Sequence, residues 1–566
     1  MSESNTIGYI VGGGLKESFR ARLTVSAQEI QEGAFVVMQS SNWRYYGLVT
    51  DIQLGATDPR FADEQTEARF PAELAKALHG QTLFANLEIL PALMQDIGPA
   101  LDSPDYKLWK AEHPADPNPI PVKTVPPHHT PVETAKPEHI AGIFGEPEKD
   151  GNFIIGYTRE QNHPVCIDLD KFVQRSCGVF GATGTGKSFL TRLVLAGLMK
   201  RNKAAALVLD MHNEYGFDDS ASDTNTRVIG LKTKFGNKVN VVGLGAGALI
   251  RGKGTPDFNL EIAMSDISTA DVEMLSRELN LRDTTPTILN ALYMTFREGW
   301  FAAFRAMTRE EVELEDEKGR VKRVPADGSV AKWANENGVN VMAAEALHDK
   351  LRRLFNQPYI VEKPAADSAA SIINSLEAGK HVILSFGEHE SDLDYLFVSN
   401  LLTRKIRAAW EKKTNAFRSH GTGEPKPLII VLEEAHKLLN REMAAQTAFA
   451  TIARELRKYY VTLLIVDQRP SQIYDEVMSQ LGTRICGWLG DDLDIQAALS
   501  GLAGRDALRG MLARLQPKEE VLLLGWGIPM PLPVRSRRYD DQFWKELLKG
   551  GGKKSEAENL KELGFS

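Results

Sequence analysis

Along the chain, short apolar runs alternating with polar positions give way near residue 150 to continuous apolar runs, each followed by a helical period. The runs RARLTV, AFVVMQ, YYGLVTDI and LFANLEIL, set between polar turns, predict a small β-barrel or sandwich over residues 1–110. Gly12–Gly14 lies among them, and with no GK[ST] behind it predicts a turn. Residues 111–150 are dense in proline from Pro114 to Pro137, which removes backbone donors and favours extended chain. This stretch reads as a linker or strap in which His128 and His129 stay solvated.

Residues 151–540 alternate apolar strands with helices, the signature of an α/β domain around a mainly parallel sheet. The clearest strands are CGVF before Gly181, AAALVLD ending at Asp210, HVILSF at 381–386, PLIIVLEE ending at Glu434 and VTLLIVDQ ending at Gln468. A helical insertion is expected at about 258–360, with Arg309–Arg323 as an exposed charged loop. Residues 541–566 hold two short helical patterns broken by glycines at Gly550, too few to fold alone. They are expected to pack on the body or on a neighbouring subunit.

Composition narrows the class. With 43% hydrophobic and 25% charged residues in 566, the chain can bury two to four ordinary domains. Cys166, Cys177 and Cys486 fit neither a redox pair nor a zinc framework, so buried free thiols are expected. No apolar run is long enough to span a bilayer and no signal pattern begins the chain, which predicts a cytoplasmic protein without a membrane partner. The net charge of −8 excludes a uniformly basic coat, so any polyanion site must be local. From Lys232 to Lys253 the chain carries Lys232, Lys234, Lys238, Arg251 and Lys253 among glycines and no acidic residue. A flexible basic loop of this kind suits DNA phosphates, with Lys232, Lys234 and Lys238 as candidate contacts.

The strongest chemical signal is Gly181-Ala182-Thr183-Gly184-Thr185-Gly186-Lys187-Ser188, a G-x-x-x-x-G-K-[ST] loop between a strand and a helix that continues through Phe189. Its glycines turn backbone N–H groups toward phosphates, Lys187 supplies a cation and the Ser188 hydroxyl can hold Mg²⁺. The loop predicts ATP and Mg²⁺ as ligands. A second strand delivers Glu433 and Glu434 to the carboxyl edge of the sheet. Glu433 is expected to hold the metal, and Glu434 to orient and deprotonate the attacking water. Gln468, at a third strand tip, can sense the γ-phosphate because its amide both donates and accepts. A GTPase is disfavoured, since Asn237-Lys238-Val239-Asn240 lacks the acid that would read guanine.

Taken together, GATGTGKS, VLDMHNEYG, VLEEAHKLL, TIARELRKYYVTLLIVDQRPSQ and PMPLPVRSRR resemble the HerA family of the HerA/FtsK branch of P-loop ATPases. The resemblance covers about 165–540. It implies a RecA-like ATPase core, an N-terminal HAS-barrel-like domain and a homo-hexamer with double-stranded DNA in the central channel. It further implies a helicase or translocase acting with a separate effector, a nuclease or a sirtuin-like NADase, in DNA end processing or antiviral defence. An arginine reaching a neighbour's γ-phosphate is also implied, with Arg454 as the candidate and Arg457 and Arg484 behind it. Asp210 and Glu214 match a family motif without a catalytic role. Two other readings are a ring scaffold that binds ATP mainly to organise effectors, and a secretion or conjugation ATPase.

Overall fold

The computed structural model describes residues 6–57, 83–220, 227–248, 250, 254–315, 321–443, 449, 452–453, 456–502 and 504–549. Strands Phe19–Leu23, Thr6–Gly12, Pro131–Thr134, Phe35–Ser40, Trp43–Ala56 and Leu83–Asp96 pair in that order, and the last pairs again with the first. Closure leaves no open edge in these six strands. Alternate residues such as Ile10, Phe19, Val36, Val49 and Ile89 fill the inside. Gly13 makes the first hairpin possible: its φ is +116°, and a Cβ there would sit 2.5 Å from the Ser18 carbonyl oxygen.

The proline-rich segment is more than a linker. Pro131–Thr134 is the barrel strand between Thr6–Gly12 and Phe35–Ser40, so the barrel draws on residues beyond 110. Proline is tolerated here because it opens the strand. The helix Pro137–Phe144 then buries Ile140, Ile143 and Phe144, with Phe144 edge-on to Phe35 at 6.0 Å. This helix joins the barrel to the large core, and a bidentate Arg514–Glu32 pair (2.9 and 2.6 Å) ties the same surfaces. His128 and His129 are exposed, as expected.

The second sheet has twelve strands. Eight are parallel, in the order Phe258–Leu260, Val239–Leu244, His381–Ser385, Ala205–Asp210, Leu428–Glu433, Val461–Asp467, Cys177–Phe180, Thr483–Cys486. Four antiparallel strands follow: Glu520–Gly525, Leu532–Ser536, Asn152–Tyr157 and Pro164–Asp168. The parallel strands read as unbroken apolar runs because helices cover both faces. All three cysteines are buried thiols; burial pushes each up to about 12.

Between the sheet-edge strand and Ile360–Val361, the insertion packs helices Thr285–Phe296, Trp300–Ala306, Val330–Glu336 and Val341–Phe355 around Trp300, Phe301, Phe304 and Phe355. The charged segment expected as a loop is an exposed antiparallel hairpin, Glu311–Glu315 with Val321–Pro325, in which Val312 faces Val324. Alternating β-branched and charged residues suit that pairing. Among the described residues no helix is long and apolar enough to cross a membrane.

Over its first half the tail packs on the body rather than projecting toward a neighbour. Helix Asp541–Lys549 packs on its own chain, burying Phe543 and Trp544 against the helix Lys187–Arg201, Phe153 and Phe235. Its strongly one-sided apolar pattern already has a partner surface within the subunit; residues 550–566 lie outside the described residues. Trp544→Ala should therefore destabilise the chain by about 3–5 kcal/mol. The expected result is a lower urea midpoint and faster hydrogen exchange over residues 541–549; unchanged protection there would contradict this packing.

Candidate nucleotide site

The carboxyl ends of three adjacent parallel strands build the site. Cys177–Phe180 leads into the phosphate loop, Val461–Asp467 lies beside it, and Leu428–Glu433 is next. The loop turns through Gly184 (φ +76°) and Gly186 (φ +91°), left-handed values that glycine adopts freely, and Gly186 caps helix Lys187–Arg201. The first N–H groups of this helix have no partner within it, so they face whatever occupies the loop. Thr185 holds the loop closed by donating to the Ala182 carbonyl at 2.7 Å, and Lys187 Nζ donates to the same oxygen at 3.0 Å.

Gln468 links the elements. Its Nε2 donates to Glu434 Oε2 at 3.3 Å, and its Oε1 accepts from the Thr183 hydroxyl. One amide thus spans from the phosphate loop to the proposed base, which is possible because its strand lies between theirs. Glu434 itself sits at φ +45°, a conformation that costs a non-glycine residue about 1–2 kcal/mol. The strands end at Glu433 and Asp467, one residue before each tip expected from the sequence, so Glu434 and Gln468 are free of the ladder.

Glu433 is buried, with Oε1 accepting from the Tyr215 hydroxyl at 2.7 Å and Oε2 lacking any hydrogen-bond partner. Burial first, then the Asp210 and Glu214 carboxylates, hold its carboxyl well above the ordinary range. Asp210 accepts from the N–H groups of Glu214 (2.8 Å) and Tyr215 (3.0 Å), which fixes the turn carrying Tyr215. Its own carboxyl is raised to about 6, by burial opposed by those two bonds. Lys187 is lowered by burial and held back by Glu434 and Asp467. Asp467 is occupied structurally, accepting from the His436 backbone and ring and from the Arg469 N–H.

An orphaned, buried carboxylate oxygen fits a divalent cation, and Ser188 supplies a hydroxyl to the same cavity. The cavity has a volume of about 740 Å³, within the range of small-ligand sites. Besides the residues expected from sequence, its walls include Glu214, Lys518, Arg537, Arg538 and Tyr539. The last four come from a segment whose only sequence signal was the string PMPLPVRSRR. Tyr215 carried no signal of its own, since its contact with Glu433 joins residues 218 apart.

Other expected residues fare differently. Arg454 lies outside the described residues, and Arg457 is exposed. Arg484 is not available to a neighbour: it is buried and donates to the carbonyls of Ala498 (2.6 Å), Ser500 (2.7 Å) and Met478 (2.7 Å). The basic stretch is not a flexible loop over its described part but helix Leu231–Phe235 running into strand Val239–Leu244. Lys232 is paired with Asp257 at 2.8 Å and Lys234 lies 5.5 Å from the Trp544 ring, while Lys238 is exposed; Arg251 and Lys253 are outside the described residues.

A carboxyl raised by folding keeps its proton to higher pH in the folded than in the unfolded chain. Its stabilising share is complete below the unfolded value, about 4, and is lost as pH climbs through the folded value, about 6 for Asp210; Glu433 is shifted in the same direction. In magnesium-free buffer the melting temperature should therefore fall as pH rises from roughly 4 through 6. Glu433→Gln, which keeps an acceptor for Tyr215, should flatten much of that slope; an unchanged slope would show that the charge is compensated elsewhere.

Comparison with known proteins agrees with this geometry. Residues 153–406 match the family model for the central domain of helicase HerA. The DNA double-strand break repair helicase HerA of Saccharolobus solfataricus is 22% identical over 489 residues, covering 85% of this chain and 81% of that protein. Its counterpart in Sulfurisphaera tokodaii is 23% identical over 544 residues, covering 95% and 94%. Among solved structures, VirB4 of Thermoanaerobacter pseudethanolicus aligns with a TM-score of 0.42 at 14% identity, over 70% of this chain and 98% of that one. The conjugative coupling protein TrwB aligns with a TM-score of 0.45 at 12% identity, over 71% and 92%. Over residues 153–406 the chain is similar to the central domain of helicase HerA, and it is an ATP-hydrolysing enzyme.

Proposed function

We propose that the chain is a hexameric, ATP-driven translocase of double-stranded DNA that works with a separate effector. The observation that carries this reading is the convergence of Thr183, Gln468 and Glu434 in one cavity that Lys187 and Ser188 also line. ATP lies with its phosphates in the 181–188 loop, where the helix N-terminus and Lys187 balance their charge. Ser188 and Glu433 would hold Mg²⁺, which would offset negative charge on the phosphates. Glu434 orients a water and takes its proton as the water attacks the γ-phosphorus. The bond to the β-phosphate oxygen breaks, leaving ADP and inorganic phosphate.

Gln468 bonds both Glu434 and the phosphate loop, so loss of the γ-phosphate changes its partners. That exchange is the step we assign to coupling hydrolysis with movement. Arg454 is assigned to the neighbour's γ-phosphate, now without Arg484 as an alternative. The assignment to duplex DNA rests on relatives named as DNA double-strand break repair helicases, which also favour end processing over antiviral defence. The effector is a nuclease or a sirtuin-like NADase. The chain works in the cytoplasm. Of the basic stretch, Lys238 is the contact most open to DNA, with Lys234 beside it.

Purified protein should hydrolyse ATP faster with linear duplex than without. Lys187→Ala should lose turnover by at least about a hundredfold, and Glu434→Gln should retain ATP while failing to split it. A hydrolysis rate indifferent to duplex would favour a ring scaffold instead.

A further inference from the structure

We infer that the segment Ser536–Tyr539 forms the nucleoside half of the ATP cavity, with the Tyr539 ring against the base and Arg538 at the ribose. The inference rests on the nucleotide-binding reading above and extends it to residues that no motif of the loop or of the glutamate strand includes.

The polarity of the cavity carries the argument. Gln468 and Glu434 are bonded to one another at the strand tips, with Glu433 adjacent, where they flank the terminal phosphate and its water. A nucleotide seated in the 181–188 loop then leads its nucleoside past Ser188 and Phe189. The Tyr539 ring lies 6.3 Å from that of Phe189 and Lys518 stands beside Gly186, in a cavity that Ser536 and Arg538 also line. The antiparallel extension of the sheet brings them there, since Leu532–Ser536 pairs with Glu520–Gly525, which pairs with the strand next to the phosphate loop. Lys518 comes close enough that its Cα lies 3.9 Å from where a Cβ on Gly186 would stand, and it holds a left-handed φ of +67°.

This wall has the chemistry of a nucleoside site. The rings of Tyr539 and Phe189 lie 6.3 Å apart at 54°, so they cannot stack on one another and instead form two sides of a corner open to a flat heterocycle. Tyr539 is held in place by its hydroxyl, which donates to the Ile229 carbonyl at 2.7 Å, and by Phe543 and Trp544 at 5.6 and 5.3 Å. A fixed ring loses little freedom when a base stacks on it. The neighbouring cations are committed: Arg192 donates to the Glu214 carbonyl between Phe189 and Tyr215, and Arg537 is buried against Glu546 and the Phe543 ring. Arg538 is different. Its side chain is 82% exposed, its Glu519 contact is 3.9 Å long, and it lines the cavity. A planar guanidinium there suits a ribose hydroxyl or the face of a base.

The test compares ATP with inorganic tripolyphosphate, which carries the phosphate chain without a nucleoside, by titration calorimetry on the full chain with magnesium. Arg538→Ala and Tyr539→Leu should each weaken ATP by about tenfold, the scale of one stacked base or charge-assisted contact, while tripolyphosphate changes by less than about twofold. Tyr539→Phe, which keeps the ring, should retain more ATP affinity than Tyr539→Leu. If both variants bind ATP as the parent does while Lys187→Ala loses both ligands, this inference is wrong and the phosphate site stands. If Lys187→Ala binds both ligands unchanged, the nucleotide site itself is wrong. Should Tyr539→Leu lose tripolyphosphate as well, the exposed Arg538 decides alone: a tenfold, ATP-only loss supports the inference and an unchanged affinity overturns it.

Discussion

Three neighbouring parallel strands have to end at nearly the same level for this molecule to have a site at all. The strand bearing Gln468 lies between the strand that opens into the phosphate loop and the strand that ends at Glu433. Parallel pairing puts all three carboxyl ends on one edge, and a single glutamine side chain then bridges Thr183 and Glu434. If one strand slipped by a single residue, its buried face would turn toward the wrong helix layer. The register is thus secured by the core, and the core secures the chemistry.

The charge arrangement on that edge carries a built-in tension. Glu433 and Asp210 are buried near one another, both raised by burial, and one Glu433 oxygen lacks a partner. Lys187, also half-buried, is lowered by its surroundings and steadied by the acids opposite. Buried charges without full pairing are expensive unless a ligand completes them. A bound triphosphate supplies an anion for Lys187, so this edge is better paired filled than empty. That is the condition for binding energy to be coupled to a change of shape.

The far end of the chain matters to the same cavity. After the parallel strands, the backbone reverses through Glu520–Gly525 and Leu532–Ser536 and brings Lys518 and Arg538 to the phosphate loop. Helix Asp541–Lys549 then anchors Tyr539 through a cluster of rings. The segment that borders the cavity is continuous with that helix.

Sequence alone determined what is local. The loop 181–188 is legible because phosphate binding needs glycines, a lysine and a hydroxyl within eight consecutive residues, and each long apolar strand is legible because burial on both faces leaves no alternation. The parallel α/β sheet, Glu433, Glu434 and Gln468 follow from those runs. Tertiary structure decided what depends on distant partners. Pro131–Thr134 became a barrel strand because two other strands offered it bonds; the segment Glu311–Pro325 became a hairpin by pairing with itself; Arg484 and Lys232 were drawn into carbonyls and a carboxylate that no spacing rule places beside them. Tyr215, Arg538 and Tyr539 reached the cavity for the same reason: hydrophobic pattern sets which face of an element is buried, but only the packed chain sets what that face meets.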